Sequence, residues 1–163
     1  LVVEEPGPEL EIGFNAALSM RMEKSFGIWS REFTWAYTPA MCGLDRFIDV
    51  SRDSFIGAEA ARRERESGQT RQRLVTLEID ALDADASGFE PVWLGRKRVG
   101  FVTSGAYGHC VKKSLALAYV DSAIAEDAGG PAQALRVHIV GVERPCRIVP
   151  RSPFDPSGAR MRA

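Results

Sequence analysis

Apolar residues recur every four positions between Glu11 and Lys24. Ile12, Ala16 and Met20 form one stripe, and Phe14, Leu18 and Met22 form another on the opposite side. This spacing predicts an α-helix, and two opposed apolar stripes predict one covered on both sides. Glu23 falls on the first stripe, between Ile12 and Ala16 on the wheel, so its carboxylate is expected inside and in need of hydrogen-bond donors. Ahead of the helix, Leu1-Val2-Val3 reads as a short strand entering a turn at Pro6-Gly7-Pro8. Behind it, Phe26, Trp29, Phe33, Trp35 and Tyr37 crowd an irregular stretch bracketed by Gly27 and Thr38-Pro39. Two readings are open for these rings: the wall of a ligand pocket, or a satellite core under a long loop. A carboxylate on an apolar face beside aromatic rings can hold a flat polar heterocycle by its N–H groups. The ordinary alternative is a capped, solvated glutamate at a helix end.

Leu44 to Val50 alternates imperfectly and predicts a short strand. Ser54 to Glu66 predicts a second helix, with Asp53 or Ser54 as its cap and Gly68 as its stop. After Gly68 the period changes from helical to two. Val75, Leu77 and Ile79 alternate with Thr76, Glu78 and Asp80, which marks a half-buried strand. Pro91–Leu94 and Val99–Thr103 flank Gly95-Arg96-Lys97-Arg98 as a hairpin with a basic turn. Ser114–Val120, Ala134–Val142 and Arg147–Val149 supply further strands, and Asp83–Gly88 is a polar loop. Short strands at this spacing indicate a small barrel or sandwich. The fold class is therefore α+β, divided at residues 1–67, 68–152 and an extended, mobile tail at 153–163. Thr103 to His109, rich in small residues, is expected as a loop that lets the backbone approach a ligand or another chain; a structural connection is the other reading. Tyr107 and His109 can reach one side of it, whereas His109 and Cys110 point apart and make no catalytic dyad.

Composition narrows this picture only a little. The 163 residues carry a formal net charge of −1, which offers no field for nucleic acid or membrane surfaces. No apolar run is long enough to cross a bilayer. The first ten residues hold two prolines and three glutamates and no basic segment, so they are not read as a signal peptide. Three scattered cysteines and two separated histidines give neither a disulfide framework nor a metal-ligand spacing, and a cytoplasmic location is expected. No Gly-rich dinucleotide loop, phosphate loop or nucleophile elbow is present.

Several motifs occur together and in order: Ser19-Met20-Arg21-Met22-Glu23-Lys24-Ser25-Phe26-Gly27-Ile28-Trp29, Tyr37-Thr38-Pro39, Gly43-Leu44-Asp45-Arg46-Phe47-Ile48, Asp53-Ser54-Phe55-Ile56-Gly57, Val102-Thr103-Ser104-Gly105-Ala106-Tyr107-Gly108-His109 and Phe154-Asp155-Pro156-Ser157-Gly158. As a set they resemble the folate-binding aminomethyltransferase family, which includes the glycine-cleavage T-protein and the C-terminal regions of dimethylglycine and sarcosine dehydrogenases. The likeness is strongest to the bacterial flavin-dependent dehydrogenase branch. The resemblance implies part of a folate-binding α/β domain followed by a small Greek-key antiparallel β-barrel. It implies tetrahydrofolate as cofactor, with Glu23 matching the family's pterin-binding glutamate in an Arg-x-Glu motif and Arg52 near an arginine that contacts the folate tail. Phe14, Trp29 and Tyr107 complete the implied folate-binding set. Phe14-Asn15 stands where the family commonly has an aromatic pair, so one stacking ring is absent.

The resemblance also implies what these residues lack. The family's catalytic aspartate belongs to a preceding segment, and FAD to a preceding flavin domain, neither of which this sequence contains. The expectation is therefore a C-terminal portion of a one-carbon-transferring enzyme, with no catalytic or metal-binding residue of its own and a missing N-terminal domain as its partner. A homodimer through apolar surface left uncovered on the first helix is also expected. A non-catalytic interdomain or subunit-binding barrel module is the competing reading.

Overall fold

The computed structural model describes residues 12–127, 134–160 and 162; the expected strand at Leu1–Val3 lies outside them. Helix α1 spans Phe14–Glu23 and helix α2 spans Ala58–Ser67, with a 3-10 turn at Asp45–Phe47 between them. Six strands follow: β1 (Gln72–Ile79), β2 (Pro91–Leu94), β3 (Lys97–Gly108), β4 (Lys113–Asp121), β5 (Leu135–Ile139) and β6 (Val142–Val149), with the short helix α3 (Ser122–Glu126) after β4. They close into an antiparallel barrel in the order β1-β4-β3-β2-β5-β6, with β6 pairing back to β1. Strands β2, β3 and β4 form a meander, and β4 lies beside β1, which is the Greek-key arrangement. Closure pairs every one of these six strands with a neighbour on each side.

Strand β4 shows why the sequence folds this way. Its residues Leu115 to Val120 are all buried, with no polar face. Ala116, Ala118 and Val120 point into the barrel with Leu77, Val92, Val102, Val137 and Ile148. Leu115 and Leu117 point outward and pack on Met22 of α1, while Tyr119 stacks on Tyr37 with ring centroids 3.8 Å apart. A strand covered on both faces reads as a continuous apolar run instead of an alternating one. Met22 is fully buried there, which is worth about 1.5–3 kcal/mol in transfer free energy.

Several local expectations need correcting. Helix α1 is covered on one side, not two: Ser19, Met22 and Glu23 are buried, whereas Phe14 and Met20 are exposed, as is Ile12 ahead of the helix. Leu44–Val50 contains the 3-10 turn and no strand. Helix α2 begins at Ala58, after Gly57 in a left-handed conformation and with no side-chain cap; neither Asp53 nor Ser54 caps it, and Asp53 pairs with Arg62. Gly68 does end it, again left-handed. Thr103–Gly108 is not a loop but the second half of the long strand β3. Its glycines serve close packing: a Cβ on Gly105 would lie 2.3 Å from the Ala86 carbonyl oxygen. The segment after Pro153 turns back instead of extending. Phe154 donates its N–H to the Glu23 carbonyl at 2.9 Å, and Gly158 bonds Asp155. Lys24 holds Asp155 by its carbonyl, at 2.7 Å, and its carboxylate.

Candidate functional site

The last turn of α1 crosses the β3–β4 hairpin and carries two carboxylate-centred clusters. Glu23 is 3% exposed. Its Oε1 accepts the backbone N–H groups of Cys110, at 2.7 Å, and Val111, at 2.9 Å. These donors answer the requirement that its buried position sets, and Oε2 lies outside that pair. Ser19, one turn earlier, donates to the Tyr107 carbonyl at 2.5 Å. Gly108 makes the approach possible, since a Cβ there would sit 3.0 Å from both Cγ and Oε1 of Glu23. The neighbouring Glu23 charge pushes the exposed Cys110 thiol up from its ordinary pKa.

Glu32 forms the second cluster. It is fully buried at 0% exposure, and the hydrophobic pattern does not single it out. Thr103 and Ser104 each donate a hydroxyl to its Oε1 at 2.6 Å. Its Oε2 accepts from the Ile28 N–H at 2.9 Å and from Arg21 at 3.2 Å. Its carbonyl accepts from the Tyr119 hydroxyl at 2.8 Å. Burial pulls the Arg21 guanidinium below its ordinary pKa, against the opposing pull of Glu32. Burial, together with the Cys42 thiol 3.0 Å away, drives the Tyr119 phenol well above the usual range. One local signal could have flagged Glu32: an acid inside a run of aromatic residues.

The five residues implied as folate-binding are not all gathered in one place. Glu23 and Tyr107 belong to the same junction, and Tyr107 meets His109 edge-on at 5.1 Å. Tyr107 also lines a cavity of about 460 Å³ with Lys112, Lys113 and Cys146. Phe14 stands at the far end of α1, 74% exposed, and Trp29 is 80% exposed with its ring edge toward Phe33. Arg52 is exposed and lines a separate groove of about 710 Å³ with Phe55, Ile56 and Glu64. The aromatic stretch itself divides: Tyr37 packs inward on Tyr119, while Trp35 is 102% exposed. Among the described residues no group of three or more His, Cys, Asp or Glu is placed to hold a metal ion, and no helix is long and apolar enough to cross a membrane.

This fold is similar to part of a solved structure, the glycine cleavage system aminomethyltransferase T from Bartonella henselae. The match has a TM-score of 0.72 at 20% identity, over 85% of this chain and 38% of that one. Residues 72–155 match the glycine cleavage T-protein C-terminal barrel domain, and the chain belongs to that family. It is 33% identical over 154 residues to the mitochondrial dimethylglycine dehydrogenase of Mus musculus, covering 93% of this chain and 17% of that protein. It is 30% identical over 126 residues to an aminomethyltransferase of Acidobacterium capsulatum, covering 76% of this chain and 33% of that protein. The chain thus spans a minor part of the length of the relatives it matches.

Proposed function

We propose that the chain forms one wall of a tetrahydrofolate site in a polypeptide that transfers a one-carbon unit from an amine. Either a glycine-cleavage aminomethyltransferase or a demethylating dehydrogenase of the dimethylglycine or sarcosine type fits this reading. The observation that carries it is Glu23, an acceptor fixed by two backbone amides, in a chain whose relatives are named for this chemistry. Bound tetrahydrofolate supplies the acceptor for the one-carbon unit. The role left to this chain is recognition. Glu23 would take N–H groups of the pterin on the oxygen not used by Cys110 and Val111, with Tyr107 beside it. Phe14 and Trp29 are largely exposed, which suits a site closed by another part of the polypeptide. That part, the proposed partner domain, would bring the catalytic aspartate and, in a dehydrogenase, FAD.

A second reading rests on the same exposed surface. Ile12, Phe14, Met20, Trp29 and Trp35 are each exposed, and a subunit or domain interface, including one with a second copy of the chain, would also use such side chains. The discriminating experiment is calorimetric titration of the intact polypeptide with a reduced folate, against Glu23→Gln. Glutamine keeps an oxygen for the two amides but removes the charge. Loss of a charge-assisted hydrogen bond, about 1.5–3 kcal/mol, weakens binding roughly 10- to 100-fold. Unchanged affinity would refute the folate role of Glu23 and favour the interface.

A further inference from the structure

Glu32 is buried more completely than Glu23, yet nothing in the folate reading uses it. Desolvating an ion is costly, and only a full set of donors offsets it. Here four donors from three parts of the chain meet one carboxylate: Arg21 from α1, the Ile28 N–H from the arm behind it, and Thr103 and Ser104 from β3. The strand is shaped for this purpose. Neighbours on a strand normally point to opposite faces, but the pairing of β3 with β4 slips between Val102 and Ser104 and leaves Thr103 as the unpaired extra residue. A bulge of this kind re-aims side chains, and it lets two consecutive hydroxyls reach the same oxygen.

We propose that Glu32 is a positioning residue for the wall that Glu23 belongs to, a role that rests on the folate reading above. Arg21 and Glu23 share the last turn of α1. Glu23 is tied to the end of the β3–β4 hairpin, and Arg21, through Glu32, is tied to the middle of β3. Ser104 and Gly108 lie roughly 13 Å apart along the strand. Ser19 and Glu23 both tie the helix to the end of the hairpin; the Arg21–Glu32 link adds a tether farther along β3 that fixes the helix's direction across the hairpin, and with it the place of the Glu23 carboxylate. The Tyr119 hydroxyl on the Glu32 carbonyl braces the same arm from β4.

The test uses the intact polypeptide and two substitutions. Glu32→Gln keeps an oxygen for Thr103 and Ser104 but turns an amide NH2 toward the Ile28 N–H and Arg21. Ser104→Ala removes a single donor. Reduced-folate affinity is measured for each, alone and combined with Glu23→Gln, at a temperature where circular dichroism shows folded protein. Glu32→Gln should weaken binding roughly 5- to 30-fold alone and less than about twofold when Glu23→Gln is already present, because coupled groups are non-additive. Affinity within about twofold of the parent, or losses that multiply in the double variant, would reduce Glu32 to a stabilising contact and overturn the proposal. Glu23→Gln with no effect of its own would instead overturn the folate reading on which it rests. If Glu32→Gln does not fold, Ser104→Ala decides by the same criterion, with an expected loss of about threefold.

Discussion

Cys146 offers a test of the barrel that can be read as a slope. It lies on β6 between Leu135 and Ile79 on the flanking strands, and it packs in the barrel core. Burial pushes its thiol from an ordinary value of 9.0 up to about 12. Below pH 9 the folded and unfolded chains both keep the proton, and the thiol adds no pH dependence. Between pH 9 and 12 the unfolded chain loses the proton and the folded one retains it, so stability falls as pH rises. Each pH unit in that window costs about 1.4 kcal/mol, or about 4 kcal/mol across it. The perturbation is Cys146→Ala. It lowers stability by a constant amount through lost packing but removes the slope. Urea unfolding from pH 8 to 10.5, followed by tryptophan fluorescence, should bring the two curves together by about 2 kcal/mol over that range. Tyr119, whose pKa burial also raises, is common to both proteins and cancels in the difference. Parallel curves would show that Cys146 titrates as an exposed thiol and that β6 does not seal the barrel as described.

Two further outcomes follow from the hairpin and its coverings. Gly105→Ala forces a Cβ onto the Ala86 carbonyl; a loss of about 1–3 kcal/mol in urea unfolding is expected, and a change below about 0.5 kcal/mol would mean that this loop does not press on β3. Glu23→Gln should speed reaction of Cys110 with a disulfide reagent at pH 8, since the Glu23 charge holds that thiol's pKa up; an unchanged or slower rate would place the carboxylate away from the turn.

The barrel was legible because strands announce themselves through near neighbours. Val75, Leu77 and Ile79 alternate, Gly95 and Arg96 make the β2–β3 turn, and Leu115 to Val120 of β4 form an unbroken apolar run because both faces of the strand are covered there. The faces of α1 were not legible. Periodicity identifies a stripe but not its cover, and the side turned inward holds Ser19 and Glu23 because the β3 carbonyl at Tyr107 and the amides at Cys110 and Val111 need polar partners. The end of β3 reads as a loop in the sequence because small residues signal both flexibility and close approach; here Gly105 and Gly108 serve the second. Glu32 was invisible for another reason. Its hydroxyl partners lie 71 and 72 residues away and are aimed at it by a bulge, which no local pattern encodes. The helical stripe does predict a buried Glu23 that needs donors, and the carboxylate lies buried on the amides of Cys110 and Val111.

The role proposed for Glu23 is recognition of a pterin. The most direct measurement is a crystal structure of the intact polypeptide with a reduced folate bound. Pterin N–H groups are expected about 2.7–3.2 Å from the Glu23 carboxylate, with Cys110 and Val111 still bound to its other oxygen. A bound pterin that leaves Glu23 without contact would contradict it.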